Sequence, residues 1–435
     1  MQPTFIFVRH SFMKKILFLL LFLGFNSFSQ KTRICGNAVC DSIAKLSNPS
    51  FELRKIKYEQ ALENLILKQQ NARIASEIIR IPVVVHVIHN QSSNNIVGNN
   101  ISDEQIYSQI KVLNEDYRRK SGTLGFNSNP IGADVEIEFF LANIDPSGKP
   151  SSGITRNFNS KSTYNILNDL DREIMSGLSY WDSNKYLNIW VAALSSGYIG
   201  YGEFPYAETV EGLETEAQEN LDGVYIDYTT FGKKIGSNTK GLYSFGRTAT
   251  HEIGHWLGLY HTWGDERCGT DYVADTPQAA AANGGSVCKD VFSTCAGTRT
   301  RNLTEDYMDY SPDSCMNIFT AGQKQRIRAA LDLSKRRRRV VNFAKFQLPA
   351  SANLQVLLFP NPTTIDKIQV QVLLPDFQDF DVKLRDLFGR EVYSETFIDL
   401  PSTVVTLKSK DLPSGNYILT VTSNGQSIQK RLALF

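Results

Sequence analysis

The amino-acid sequence predicts an α+β protein, in which a twisted mixed sheet backed by helices precedes a small all-β sandwich. Up to about residue 346, short β-branched runs alternate with helical segments, as in a sheet covered by helices. A boundary falls near residue 350, where this alternation ends. Beyond it come about seven short strand-like runs and no helical pattern, which is typical of a β-sandwich.

Hydrophobic periodicity defines the first elements. The charged stretch 51–70 has Leu62, Leu65 and Ile66 at helical spacing. The β-branched run Ile81 to His89 predicts a buried strand, whose histidines are expected to be structural. Residues 101–118 predict an amphipathic helix that begins at Ser102, a good N-cap residue.

The remaining elements are assigned in the same way. Val135 to Ala142 and Leu187 to Leu194 predict strands, whereas the Gly- and Tyr-rich runs 197–205 and 223–231 suit edge strands or loops. The basic run Lys335 to Arg339 predicts a solvated helix end, with a protease-sensitive linker as the alternative. In the last domain, the Asn-Gly pair at 424–425 favours a type I′ hairpin.

Composition limits the possible functions. The 435 residues are 42% hydrophobic and 21% charged, as in ordinary globular proteins. A formal net charge of +1 provides no field that would attract nucleic acid, and no nucleic-acid partner is expected.

The N-terminus predicts export. Met13-Lys14-Lys15 precedes the apolar run ILFLLLFLGF, which is too short to span a bilayer stably. This pattern predicts a signal peptide over residues 1–30 with the true start at Met13; a membrane anchor is the alternative. We therefore expect no integral membrane segment after cleavage, a prosegment over 31–78, a catalytic domain over 79–346 and a C-terminal domain over 353–435.

The strongest motif is HEIGHWLGLYH, residues 251–261, which holds three of the six histidines. On one helix, His251 and His255 share a face, so their imidazoles converge on one ion. Gly258 allows a left-handed exit from the helix, which brings His261 round as a third ligand. Glu252 lies too near the first ligand to be a good third one, and suits the role of a base that holds water.

Three neutral imidazoles leave one position of a tetrahedral zinc ion open, which predicts hydrolysis of a peptide bond. The alternatives are buried structural histidines and a structural zinc site, although structural sites usually close with a fourth Cys or His.

This motif looks like that of the metzincin metalloproteases. The stretches HEIGHWLGLYHTW and YMDYSPDSCMN and the nearby cysteines resemble the pappalysin family over roughly residues 80–345. The resemblance implies that Met308 forms the methionine turn below the metal and that Tyr310 stabilises the oxyanion. It also implies that Asp313 lies at the base of the S1′ pocket, so that cleavage occurs before Arg and less readily before Lys. A solvated turn aspartate is the alternative for Asp313.

Four of the six cysteines follow the histidine motif, and four cysteines allow three pairings. The family pattern implies the disulfides Cys268–Cys295 and Cys288–Cys315. The same loop is acidic, and family members hold calcium there. Asp271, Asp275 and the Thr276 carbonyl are the expected calcium ligands, with plain surface acids as the alternative.

Cys35 lies in the expected prosegment, where its thiolate suits the open zinc position, as in the cysteine-switch latency of metzincin zymogens. Cys40 offers an alternative, because a Cys35–Cys40 disulfide would leave no free thiol. Activation would require cleavage upstream of Ile81, and Arg73 is a candidate.

The C-terminal domain resembles the sorting domain of the type IX secretion system at three stretches: LFPNP at 358–362, DLFGR at 386–390 and the final 24 residues. The resemblance implies the secretion machinery as a partner and a secreted or cell-surface protein; a surface-binding module is the alternative. The sequence thus predicts a secreted zinc endopeptidase that acts on proteins or peptides. A catalytically silent adhesin and a metallo-amidase are the competing hypotheses, and the presence of Glu252 argues against the first.

Overall fold

The computed structural model describes residues 35–71, 77–93, 95–213, 218–238, 241–345, 353–364, 368–407 and 412–435. The expected signal peptide, Met13 and Arg73 lie outside these residues. Within them, no helix combines the length and the apolar character that crossing a membrane requires.

The helices are α1 Gly36–Ser47, α2 Phe51–Asn71, α3 Asp103–Tyr117, α4 Asp169–Leu178, α5 Arg247–Trp256, α6 Ala321–Leu333 and α7 Lys335–Ala344, with 3₁₀ turns at Glu219–Leu221 and Asp313–Cys315. The strands are β1 Ile79–His89, β2 Ile137–Leu141, β3 Ile154–Phe158, β4 Leu187–Ala192, β5 Gly200–Gly202, β6 Gly223–Asp227, β7 Phe292–Cys295, β8 Thr298–Arg301, β9 Gln355–Phe359, β10 Gln369–Leu373, β11 Gln378–Asp386, β12 Glu391–Leu400, β13 Thr403–Thr406, β14 Gly415–Ser423 and β15 Gln426–Leu434.

The first sheet is mixed, as predicted. Its order is β2-β1-β4-β6-β5, and β3 pairs with the second half of β1. All pairings are parallel except that of β5, which runs antiparallel to β6 at the sheet edge. This edge strand packs against α5 and thereby lies beside the histidine motif.

Alternation along β1 divides the core between the two faces of the sheet. Val83, Val85 and Val87 belong to the cluster that includes α3 and α5, whereas Ile88 packs with the cluster around α4. His86 is fully buried, and its ring nitrogens bond to Thr155, Ser179 and Asn188. Its role is structural, as expected.

Most predicted elements are present, with two differences. The predicted strand from Val135 begins only at Ile137, because Glu136 has a φ of 61°. Residues 223–227 are not an edge strand or a loop: β6 lies between β4 and β5 and is fully buried. The sequence misled because Val224, Tyr225 and Ile226 fill both faces of the sheet, so no polar alternation marks the strand.

The prediction of a solvated end for the run Lys335–Arg339 is wrong for two of its residues. Arg336 and Arg337 are buried and both donate to the Asp222 carboxylate, at 2.6 and 2.7 Å. Arg337 also donates to the Trp256 carbonyl at the end of α5 and stacks on the Trp256 ring. These arginines therefore fix the C-terminal end of α5.

The C-terminal domain is the predicted β-sandwich. A sheet of order β13-β10-β9 faces a sheet of order β12-β11-β14-β15, and the two share one apolar core. Asn424 and Gly425 both have positive φ, as a type I′ turn requires. The sandwich contacts the first domain through a hydrogen bond from Gln371 to the Asn143 carbonyl and one between Tyr107 and Thr403.

Candidate active site

Helix α5 carries His251 and His255 one turn apart, so both rings leave the same side of the helix. The helix ends at Trp256 with Leu257 as its C-cap, and Gly258 follows with a φ of 90°. This left-handed position, which glycine adopts without a steric penalty, turns the chain back and brings His261 to the other two rings.

The three imidazoles converge on one point. Their Nε2 atoms lie 3.2 Å apart for His251 and His261, 3.2 Å for His255 and His251, and 3.1 Å for His255 and His261. In a tetrahedral zinc site with Zn–N distances of about 2.0–2.1 Å, two ligand nitrogens are about 3.3–3.4 Å apart. The observed spacing fits such a site.

The opposite nitrogen of each ring has its own acceptor. The Nδ1 atoms of His251, His255 and His261 lie 2.7, 2.8 and 2.6 Å from the Tyr307 carbonyl, the Leu259 carbonyl and Asp265 Oδ1. Each Nδ1 therefore carries the proton, and three Nε2 lone pairs face one another. Burial, and then the nearby His261, lower the pKa of His255 to about 3, so its ring stays neutral. Three converging lone pairs require a cation between them.

Glu252 lies beside this cluster and is fully buried. Its side chain runs along the edge strand β5, so closely that a Cβ on Gly200 would come within 2.5 Å of Glu252 Cγ. A Cβ on Gly202 would come within 2.1 Å of the Glu252 carbonyl oxygen. The glycines of β5 thus allow the strand and the glutamate to lie side by side.

Met308 and Tyr310 complete the surroundings of the histidines. Met308 is fully buried in a turn whose backbone N–H groups donate to Asp306 and Asp309. The Tyr310 ring packs against His261, with ring centres 5.0 Å apart. Burial, and then the neighbouring Cys35, raise the pKa of the Tyr310 phenol, which therefore keeps its proton as a donor.

Cys35 lies next to the three histidines. Its Sγ and the ligand nitrogens of the three histidines are all within 4.8 Å of one another. The thiol donates to Glu252 Oε2 at 3.2 Å, and the Cys35 amide donates to the Tyr310 hydroxyl at 3.3 Å. Cys35 and Cys40 are both free thiols, so the alternative of a disulfide between them is not present. Burial, and then the Glu252 carboxylate, raise the pKa of the Cys35 thiol, and a divalent cation would oppose both effects.

The cross-links of the loop after His261 match the expected pairs. Cys268 is bonded to Cys295, and Cys288 to Cys315. Two of the expected calcium ligands bond to each other: Thr276 Oγ1 donates to Asp271 Oδ2 at 2.6 Å. The Asp275 carboxylate instead accepts from Thr320 Oγ1 and the Gly322 amide, at the start of α6.

Asp313 lies at the opposite end of α5 from Arg337. Its side chain is 1% exposed, and Oδ2 accepts from the amides of Phe245 and Arg247, both at 3.0 Å. The alternative of a solvated turn aspartate therefore does not hold, because the carboxylate is buried. The Arg247 guanidinium forms a buried ion pair with Asp116 at 3.0 Å.

Sequence reasoning missed two residues of this site. Asp265 belongs to the acidic loop and orients His261; its position four residues after that histidine is the sequence signal that could have found it. Asn37 binds both main-chain groups of Gly202: its Oδ1 accepts from the amide at 3.0 Å, and its Nδ2 donates to the carbonyl at 2.6 Å. No sequence signal marked Asn37.

Comparison with known proteins identifies the family. Residues 169–332 match the family model described as pregnancy-associated plasma protein-A. An extracellular metalloprotease of Colletotrichum graminicola is 32% identical over 274 residues, which cover 62% of this chain and 84% of the relative. The chain belongs to the pappalysin family of metalloproteases. An extracellular metalloprotease of Verticillium alfalfae is 30% identical, with 60% of this chain and 81% of the relative covered.

Two solved structures from Tannerella forsythia are similar to this one. A mutant of Tannerella forsythia promirolysin is 37% identical with a TM-score of 0.61, and the match covers 72% of this chain and 99% of that one. Mature mirolysin in complex with a cleaved peptide is 40% identical with a TM-score of 0.54, and the match covers 63% of this chain and 99% of that one. Residues 357–434 match a secretion system C-terminal sorting domain. The predictions of a metalloendopeptidase, of type IX sorting and of a secreted or cell-surface location are confirmed.

Proposed function

We propose that this pappalysin is a zinc-dependent endopeptidase that cleaves peptide bonds before arginine, less readily before lysine, and is made as a latent zymogen. The observation that carries the proposal is the convergence of three Nε2 lone pairs at 3.1–3.2 Å, each fixed by an acceptor behind its ring. His251, His255 and His261 would hold the ion. Zinc bound there supplies Lewis acidity, which activates water and polarises a peptide carbonyl.

The chain's own residues provide the proton transfers. Glu252 is buried next to the ligands and accepts the proton of the attacking water, then passes it to the leaving amine. The protonated Tyr310 phenol, packed against His261, donates a hydrogen bond to the oxyanion that develops on the substrate carbonyl. Met308 contributes buried apolar packing next to the helix that carries the ligands.

Three contacts support latency. The Cys35 thiol lies among the three histidines, where it takes the position of a fourth metal ligand. It also donates to Glu252, so the proposed base is already hydrogen-bonded. Asn37 forms hydrogen bonds with both main-chain groups of Gly202 on the edge strand β5. Helix α2 is held by the buried ion pair of Glu59 with Arg326. The match to a proform, which covers more of this chain than the mature enzyme does, agrees with a prosegment over 31–78.

The arginine preference rests on Asp313. Its buried carboxylate lies at the N-terminal end of α5, the helix that carries the first two histidines. A cationic side chain that enters this region from the substrate would form a charge-assisted hydrogen bond with the carboxylate, whereas an apolar side chain would offer it no such bond.

Calcium is the second proposed ion. Burial raises the pKa of Asp271 to about 6. Burial also raises the pKa of Asp306, and the negative charge of Asp271 raises that pKa further. A hard cation held by Asp271 and the Thr276 carbonyl, with Asp275 as a further candidate ligand, would stabilise the buried carboxylates. Calcium should therefore raise the unfolding temperature of the wild-type protein and not that of Asp271→Asn; an equal rise in both would contradict the site.

The main experiment compares Glu252→Gln with the wild type after removal of the prosegment, on a peptide library whose products are sequenced. The variant should bind one zinc ion per chain and lose about 10²–10⁴-fold in kcat/KM. Glu115→Gln is the control, because Glu115 is also a buried glutamate but lies on α3 and pairs with Lys233. Retained activity in Glu252→Gln, or a wild type without zinc, would exclude the proposed mechanism.

A further inference from the structure

Three aromatic rings meet beside the metal-ligand cluster. The indole of Trp263 lies parallel to the imidazole of His261, with ring centres 4.4 Å apart and an interplanar angle of 9°. The phenol ring of Tyr310 stands nearly perpendicular to both. It lies 4.7 Å from Trp263 at 73° and 5.0 Å from His261 at 80°. Tyr310 therefore packs against a stack of two rings, of which His261 is the proposed ligand.

The main chain fixes this arrangement. The Gly264 amide donates to the His261 carbonyl at 2.9 Å, which closes a turn that carries Trp263. The Thr262 amide donates to the Met308 carbonyl at 3.3 Å, so this turn is joined to the methionine turn two residues before Tyr310. Trp263 and Tyr310 thus project from two short segments that are hydrogen-bonded to each other.

The position of the Tyr310 ring decides where its hydroxyl lies. A change of rotamer about the Cα–Cβ bond would carry the hydroxyl several ångströms away. A hydrogen-bond donor stabilises a developing oxyanion best when it is in place beforehand. Perpendicular packing at this ring separation is a favoured geometry of an aromatic pair, and Trp263 is itself buried.

The proposed prosegment adds one restraint that cleavage would remove. The Cys35 amide donates to the Tyr310 hydroxyl at 3.3 Å. Trp263 and His261 belong to the catalytic domain, so their ring contacts would remain after the prosegment has left. The packing against Trp263 should therefore matter most in the mature enzyme.

We propose that Trp263 is a positioning residue that holds the Tyr310 ring against His261, so that the hydroxyl is in place for the oxyanion before the substrate binds. Trp263 acts through Tyr310 and not on the substrate. This inference rests on the proposed role of Tyr310 and extends it to the residue that fixes its ring.

The test is a double-mutant cycle in the mature enzyme. Tyr310→Phe is assayed first, and an unchanged kcat would refute the proposed role of Tyr310 and the inference with it. With Tyr310 present, Trp263→Leu should lower kcat about tenfold or more and change KM by less than about threefold. In the Tyr310→Phe background the same substitution should have little further effect, because the hydroxyl that it positions is gone. Equal losses of kcat in both backgrounds would overturn the inference and leave the role of Tyr310 intact.

Two further variants separate positioning from general packing. Trp263→Phe keeps an aromatic ring beside Tyr310 and should retain most of kcat. Trp181→Leu is the matched control, because Trp181 is 9% exposed against 8% for Trp263 and also packs nearly perpendicular to a tyrosine, Tyr186, at 4.9 Å and 72°. It belongs to a separate apolar cluster and should leave kcat unchanged. Equal losses in the Phe and Leu variants at 263, or an equal loss in Trp181→Leu, would contradict the inference.

Trp263 also stacks on a proposed zinc ligand, so the zinc dissociation constant of each variant is measured by competition with a chromophoric chelator. In Trp263→Leu it should stay within about threefold of the wild-type value, because His261 keeps its Nδ1 contact with Asp265. A loss of zinc that accounts for the loss of kcat would overturn the inference. If Trp263→Leu does not fold, Trp263→Met takes its place in the cycle with the same expected and contrary outcomes, since its flexible side chain fills irregular spaces.

Discussion

Met308 lies directly against Gly254 of the active-site helix: a Cβ placed on Gly254 would come within 2.3 Å of Met308 Sδ. Gly254 lies between the two ligands of α5, His251 and His255, on the turn that connects them. The methionine sulfur thus fills the space that a side chain on the helix would occupy. The methionine turn can lie where it does only because residue 254 has no side chain.

Gly254→Ala should therefore disturb the metal site. Met308 is fully buried and has little freedom to move, so overpacking should cost about 1–3 kcal/mol and displace the ligands on both sides. We expect a lower unfolding temperature and weaker zinc binding, measured by calorimetry and by competition with a chelator. Gly177→Ala in α4 is the control, because a Cβ there meets no atom within 4 Å. It should stabilise the protein slightly; a similar loss in both variants would contradict the packing argument.

Asp265→Asn should weaken metal binding without unfolding the protein. Asp265 Oδ1 lies 2.6 Å from His261 Nδ1, where it fixes the tautomer and raises the basicity of the ligand. Loss of such a carboxylate behind a ligand typically costs about 10–100-fold in metal affinity. Zinc dissociation constants from competition with a chromophoric chelator measure this effect.

Glu266→Gln is the matched control, because it removes the adjacent, exposed carboxylate of the same loop. It should leave the zinc affinity unchanged. If the two substitutions weaken zinc binding equally, the effect comes from the general negative charge of the loop and not from the hydrogen bond to His261.

His86 should make the protein less stable in acid. Burial lowers its pKa from 6.5 to about 4, so the folded chain keeps the ring neutral while the unfolded chain takes up a proton below pH 6.5. Stability is therefore lost as the pH falls from about 6.5 to about 4, by up to about 3 kcal/mol, and this contribution is constant outside that range.

The measurement compares the free energy of unfolding of the wild type and His86→Gln at pH 7 and pH 4. The variant lacks the titrating ring, so the wild type should lose its advantage at the lower pH. All other groups, including the metal ligands, titrate in both proteins and cancel in the difference. A gap that stays constant between the two pH values would show that His86 does not titrate in this way.

Local spacing was sufficient to predict the centre of the site. His251 and His255 are fixed by the helical repeat, and Gly258 is fixed by the left-handed conformation that the chain needs to reach His261. The strand at 81–89 and the turn at 424–425 were predicted for the same reason, because each follows from neighbours along the chain.

The contacts that the sequence did not reveal join residues far apart in the chain. Arg336 and Arg337 looked solvated because nothing nearby neutralises them; their partner Asp222 is more than a hundred residues away. In the same way, the pairing of Asn37 with Gly202 and the ion pair of Asp116 with Arg247 depend on how the sheet and helices pack. Such long-range polar contacts have no periodic signal.

Cys35→Ala should give an uncleaved protein with partial activity. The substitution removes the sulfur from the three histidines and frees Glu252 Oε2, to which the thiol donates at 3.2 Å. Asn37 still covers Gly202, and α2 remains attached through Glu59, so access to the edge strand stays restricted. We expect peptide hydrolysis at least about tenfold above that of the uncleaved wild type and below that of the mature enzyme.

Cys40→Ala is the control for this experiment. Cys40 is a free thiol in α1, the helix that Cys35 caps, but it packs against the cluster around Tyr201 and lies outside the metal-ligand group. It should remain latent; full latency of Cys35→Ala, or equal activation of both variants, would rule out a specific thiol lock.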